Sequence, residues 1–361
     1  MSPFAASLRR EWRLLRSRPR DWAMVSWVPL LAMALMCWIF SAGQPQRLPI
    51  AVWNEDGASP LSRQLVRMLE ATPGFARDVQ RGAGASVALL HNAQLATHSS
   101  LLQRDVRQVV GTLSAGVEMQ ALAKRGTPAR ALQLRVEPIR TQLVALFNVS
   151  TNYEQFLATT LVPALVHILA MTAGAWSVGR ELRDRTLGQW LHGAGGAAAV
   201  LAALLGKLLA PLALLWASAL ACLLYLSQLR GWAVAGSLAW IALGLALLVA
   251  VSLAAGAALA GLTLSLRTAM SGAGLLSAPA FAFSGVGFPL LAMSGSARTW
   301  AEAMPYTHYA RLQIEQWQMS APPAQSLPVV AGLLLATLAL LALATVGLLR
   351  GLRRPERWGA R

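Results

Sequence analysis

What most constrains this chain is the recurrence of uncharged apolar stretches about twenty residues long, the length a helix needs to cross roughly 30 Å of hydrocarbon. Six such segments can be marked, at 22–40, 156–178, about 204–226, 232–264, 269–293 and 327–349. The first carries no charge between Asp21 and Arg47, follows several arginines and lacks an A-x-A cleavage site, so it reads as a retained anchor rather than a signal peptide. The fourth is longer than a span requires and has room to tilt. Pro279, Gly285, Gly287 and Pro289 interrupt the fifth. Composition agrees: 56% of the residues are apolar and 13% charged, against about a quarter charged in a soluble domain. This excludes a disordered chain, a disulfide scaffold and a conventional cytosolic enzyme. Cys37 and Cys222 both fall in apolar runs and are too few for a disulfide framework or a zinc site.

The charges present are lopsided. Thirty-one Lys and Arg against fifteen Asp and Glu leave +16, which alone could suggest nucleic acid, but binders of that kind are not built from long Leu/Ala/Gly stretches. The distribution offers another cause. Residues 1–21, the stretch from Arg180 to Lys207, Arg267 and the tail from Arg350 are basic, whereas the short loops between them on the opposite side hold only Arg230, Arg298 and Arg311. Cytoplasmic loops are the basic ones, so both termini are expected inside and no nucleic-acid partner is expected.

The fold expected is therefore mostly α: a six-helix integral membrane domain with a small α+β extracytoplasmic domain inserted after the first span. The parts are a cytoplasmic interfacial helix (1–21), transmembrane helix 1 (22–40), the inserted domain (41–155), transmembrane helices 2–6 (156–349) and a basic tail (350–361). An insert of that length is too long for a structureless connection. Within it, 48–53 reads as a strand closed by Asn54, Asp56 and Gly57, and 59–71 and 100–125 as helices. Residues 132–147 read as a closing strand.

Four features are candidates for function. Residues 5–20 form a basic amphipathic helix with Phe4, Leu8, Trp12 and Leu15 on one face, suited to an anionic membrane surface. Arg10 and Arg16 belong to its charged face, and Glu11 is its odd acid. The segment 179–196 mixes both charge signs with apolar anchors, as a helix docking into a cytoplasmic partner would. Its expected contacts are Arg180, Glu181, Leu182, Arg183, Asp184, Thr186, Leu187 and Gln189. Region 284–325 begins with Gly285, Gly287, Phe288 and Pro289, a sequence that cannot continue as a regular lipid-facing helix. It reads as a re-entrant hairpin or an early end to the span, followed by one or two interfacial helices whose Trp300, Tyr306, Tyr309 and Trp317 suit the headgroup region. His167 is the clear titratable group in a span core, either a functional site or an interhelical hydrogen bond. The other histidines lack metal-ligand spacing. There is no G-x-x-x-x-G-K-[ST], no H-E-x-x-H and no G-x-S-x-G, so no catalytic residue, cofactor site or metal site is expected.

Taken together, these parts resemble the permease subunits of type-2 ABC transporters, in the group with a large extracytoplasmic domain after the first span. The resemblance rests on 11–29, on 48–69 with Asp56, on Phe147-Asn148 and on 156–163. It continues through Arg180-Glu181 with Thr186-Leu187 and Gln189, Gly206-Lys207, Ser284-Gly285 with Phe288-Pro289, and Met304-Pro305-Tyr306-Thr307. One departure is instructive: where the family usually has an acid, Gly, Thr, Leu and Glu, this chain reads Asp184-Arg185-Thr186-Leu187-Gly188. The resemblance implies an exporter half in a bacterial inner membrane, paired with an identical or sister permease protomer, for apolar or amphipathic drug-like or lipid-like cargo. Separate ABC ATPase subunits, using ATP and Mg, would dock beneath 180–191, and a periplasmic adaptor could meet the outer domain. Two alternatives are a four-span mechanotransmitting ABC subunit and a membrane receptor sensing through 41–155.

Overall fold

The computed structural model describes residues 2–41, Asn152 and 154–358, together with several positions between 104 and 116. Contacts divide the chain into two units, 1–43 with 146–361, and 44–145. In the second unit every described residue is helical, within the helix expected over 100–125. The expected strands at 48–53 and 132–147 lie outside the described residues.

The first unit is helical. Ser2 caps α1 (Pro3–Ser17) by accepting from the Ala5 N–H, and Pro3 starts it. Two short helices follow, α2 (Pro19–Val25) and α3 (Trp27–Phe40), broken at Ser26. After the insert, a π-helical turn (Glu154–Ala158) leads into α4 (Thr159–Arg183), and α5 (Leu187–Trp190) is a single turn. α6 (Ala197–Leu224) ends in a second π turn, Tyr225–Leu229. α7 (Leu238–Thr263) stops where Leu264 turns left-handed, and Ser265 caps α8 (Leu266–Ser277). α9 (Ala280–Phe283), α10 (Gly295–Ala303), α11 (Pro305–Trp317) and α12 (Pro323–Leu352) complete the unit.

Among the described residues, five helical stretches are long and apolar enough to span a membrane: Pro19–Phe40, Glu154–Arg183, Ala197–Leu229, Leu238–Thr263 and Pro323–Leu352. The further span expected at 269–293 is not among them. It breaks into α8, α9 and an irregular stretch, because Pro279 cannot supply a helical N–H and Gly285 sits at φ +86°.

α7 is the hub, packed against α4, α8, α11 and α12. Its crossing with α4 is possible only without side chains: a Cβ on Gly174 would lie 2.1 Å from the Leu253 carbonyl oxygen, and one on Gly256 2.0 Å from that of Met171. Between helices in lipid, where burial supplies little drive, such close backbone contact is a main source of attraction. α1 approaches α6 the same way, with the Phe4 carbonyl over Gly206.

Candidate functional site

The last turn of α4 meets α1, α2 and α6 in a buried cluster of charges. Arg180 Nη1 donates to Asp21 Oδ2 at 2.6 Å and Nη2 to Glu11 Oε2. Lys207 Nζ bridges Glu11 Oε2 at 2.9 Å and Glu181 Oε1 at 2.8 Å. Arg10 ends the chain of ion pairs, its Nη2 2.9 Å from Glu181 Oε2. Thr186 also donates to Glu181, and Trp176 Nε1 to Asp21 Oδ1 at 3.1 Å. Lys207 lies 4.5 Å from the Trp190 ring centroid, and Trp190 Nε1 donates to Ser7 at 2.8 Å. Glu11, Asp21, Arg180, Glu181 and Lys207 are all buried. Three carboxylates balance three cations, which is the condition for keeping charges this deep. Glu11 Oε1 and Arg180 Nε have no hydrogen-bond partner among the described residues.

The cluster changes the reading of two expected sites. α1 does not bury the stripe of Phe4, Leu8 and Trp12. Its buried residues are Ser7, Glu11 and Leu15, spaced four apart, while Leu8 and Trp12 are partly covered and Phe4 and Arg16 exposed. Arg16 lies over the Trp12 ring at 4.9 Å. Glu11, odd in a basic helix, is the acid that Arg180 and Lys207 require. In the 179–196 segment, Arg180, Glu181, Leu182 and Leu187 are buried within this chain and Thr186 is partly so; Arg183, Asp184 and Gln189 face outward. Arg185, between α4 and α5, has φ +56°, the region glycine occupies most readily. Asp184 takes a hydrogen bond from Arg183 and another from Arg18, which hold its carboxyl below the usual range.

Two further polar centres lie elsewhere in the unit. Arg230 forms a fork on buried Glu154, Nε to Oε1 at 2.8 Å and Nη2 to Oε2 at 2.9 Å, and also donates to the Ser41 carbonyl. Trp232 Nε1 adds a bond to Glu154 at 2.9 Å. This clasp joins the end of α3 to the two π turns. In the middle of the bundle His167 Nδ1 pairs with Ser252 Oγ at 2.7 Å, the interhelical bond that was one of its two expected roles. Its Nε2 is buried without a partner among the described residues.

Tyr306, Tyr309 and Trp317 were expected at the headgroups, and this is corrected: all three are buried in the chain, while Trp300 is exposed. The reason is Pro163. It has no N–H to bond the Thr159 carbonyl, and Gln313 Nε2 donates to that oxygen instead at 2.6 Å. Tyr306 OH reaches the next carbonyl, Thr160, at 2.7 Å. Of the expected gate residues, Gly287, Phe288 and Pro289 are exposed and Gly285 partly so.

Sequence reasoning noticed Lys207 as a cytoplasmic charge and as half of a dipeptide but not as an ion-pair partner, and passed over Asp21, Glu154, Arg230 and Gln313 as binding partners. The available signal was charge placed at the very ends of apolar segments, where it must be solvated or paired. Among the described residues no group of three or more His, Cys, Asp or Glu is placed to hold a metal ion.

Long apolar helices with paired charges at their ends define an integral membrane protein. A comparison with protein families then identifies which kind. The family described as "ABC-2 family transporter protein" matches residues 72–346, and the chain belongs to it. It is thus a permease of an ABC transporter, a family that in general works with an ABC ATPase and is itself generally non-catalytic. The comparisons with curated proteins and with solved structures each return no match.

Proposed function

We propose that the chain is the membrane half of an ATP-driven exporter, of the subtype whose residues 41–155 form a large α+β extracytoplasmic domain. Both termini lie in the cytoplasm, and the membrane is a bacterial inner membrane. Two protomers, identical or sister, enclose a route for apolar or amphipathic cargo. ATP and Mg act in separate ATPase subunits, and this chain binds neither. Region 284–325 forms the outer gate, and His167 provides a polar position within the route; a periplasmic adaptor could bind the insert.

One observation carries the coupling assignment. The tip formed by Arg183, Asp184, Arg185 and Gln189 faces outward, while its root at Arg180 and Glu181 is tied by ion pairs to α1, α2 and α6. A push on that tip would reach three helices at once. Contacts to an ATPase would therefore come from Arg183, Asp184, Arg185 and Gln189, with Arg180, Glu181 and Leu187 holding the tip in place.

The test is affinity purification from native membranes in mild detergent. The wild-type chain should bring down an ABC ATPase, and reversal of the exposed tip charges (Arg183→Glu with Asp184→Lys and Arg185→Glu) should abolish this while leaving the chain folded. Retention of the ATPase by the reversed tip would move the docking site elsewhere. Absence of any ATPase with wild type would overturn the exporter reading in favour of a receptor.

A further inference from the structure

We propose that a pocket between α1, α2, α4 and α8 binds the phosphate headgroup of an anionic phospholipid. The cavity has a volume of about 520 Å³, with Arg18, Arg20 and Arg183 on its walls and Met24, Trp176 and Met270 supplying apolar surface. It opens where the span Pro19–Phe40 begins and the span Glu154–Arg183 ends, the depth at which a lipid changes from phosphate to acyl chain.

The charge balance favours an anion. Arg18 and Arg183 share one carboxylate, Asp184, at 3.1 and 2.8 Å, and their side chains remain 41% and 44% exposed. Arg20 makes no ion pair among the described residues. The other acid of the wall, Asp21, is already neutralised by Arg180. The rim therefore keeps a positive excess and free guanidinium N–H groups, the donors best matched to a phosphate's geometry. Arg183 is also stacked 5.0 Å from the Trp176 ring centroid, which holds its fork at the rim. A free phosphate would satisfy the rim but leave the apolar floor uncovered; a lipid phosphodiester covers both. The pocket shares Arg183 with the proposed ATPase-docking tip, but it is tested on the chain alone, without an ATPase, so that the two readings fail separately.

Native mass spectrometry of the detergent-purified full chain provides that test. The added probes are phosphatidylglycerol, phosphatidylcholine with the same chains, and inorganic phosphate. Phosphatidylglycerol should bind in preference to phosphatidylcholine and resist displacement by millimolar phosphate. Arg18→Gln/Arg20→Gln/Arg183→Gln should weaken its binding at least about tenfold. The matched removal of three exposed charges outside the pocket, Arg13→Gln/Arg267→Gln/Arg353→Gln, should have little effect. Met270→Trp, which fills the cavity and leaves every charge in place, should weaken binding as the triple variant does. Equal binding by the pocket variants and wild type would overturn the site. So would equal loss in both triple variants, which would indicate general surface attraction, or ready displacement by phosphate, which would indicate a free-anion site.

Discussion

Glu11 shows how much one side chain can hold together. It accepts from both Arg180 and Lys207 at a fully buried position. Truncating one partner of such a cluster leaves the others desolvated and unpaired, a cost of about 3–5 kcal/mol. Glu11→Ala is therefore expected to lower the thermal unfolding midpoint in detergent markedly, whereas Arg13→Ala, on the exposed side of the same helix, should leave it nearly unchanged. Arg185 is the opposite case. It stands where the family resemblance has glycine and adopts φ +56°, a conformation that costs a non-glycine residue about 1–2 kcal/mol. Arg185→Gly should stabilise the chain by about 1 kcal/mol in the same unfolding measurement. An unchanged or lower midpoint would mean that the Arg185 side chain makes up for its backbone.

Between elements, packing is set by small residues and by carbonyls that a proline has released. The α3–α6 contact can be checked directly, because Cys37 and Cys222 bring their sulfurs to 3.5 Å. Treatment with copper–phenanthroline should remove two protons and two electrons from this pair, join it as a disulfide and leave no thiol reactive to maleimide after denaturation. Cys222→Ser should keep one reactive thiol under the same treatment. Two reactive thiols in the oxidised wild type would place α3 elsewhere. The span segments themselves were legible from apolar length, and the break at 279–289 from its prolines and glycines. The burial of α11 was not. Tyr306 and Gln313 look like ordinary interfacial residues until the carbonyls of Thr159 and Thr160 are seen to need donors.

For the molecule as a whole, the basic residues predict sidedness. In a Cys37→Ala/Cys222→Ala background, His192→Cys and Arg354→Cys should react with a membrane-impermeant maleimide only after permeabilisation, and Arg298→Cys, exposed in a short loop of the opposite side, should react in intact cells. Reaction of His192→Cys from outside would invert the proposed topology. Sequence by itself determined the membrane class, the family and the approximate spans, because these follow from runs of like residues and from motifs read in order. Only the tertiary structure decided which charges are structural and which are free to meet a partner. Arg180 and Arg183 are three residues apart and chemically alike, yet one is buried against Glu11 and Asp21 and the other is exposed beside Asp184. The acids that bury Arg180 lie on α1 and α2, more than 150 residues away in sequence. Pairing over that distance is set by how helices pack, which no local pattern records.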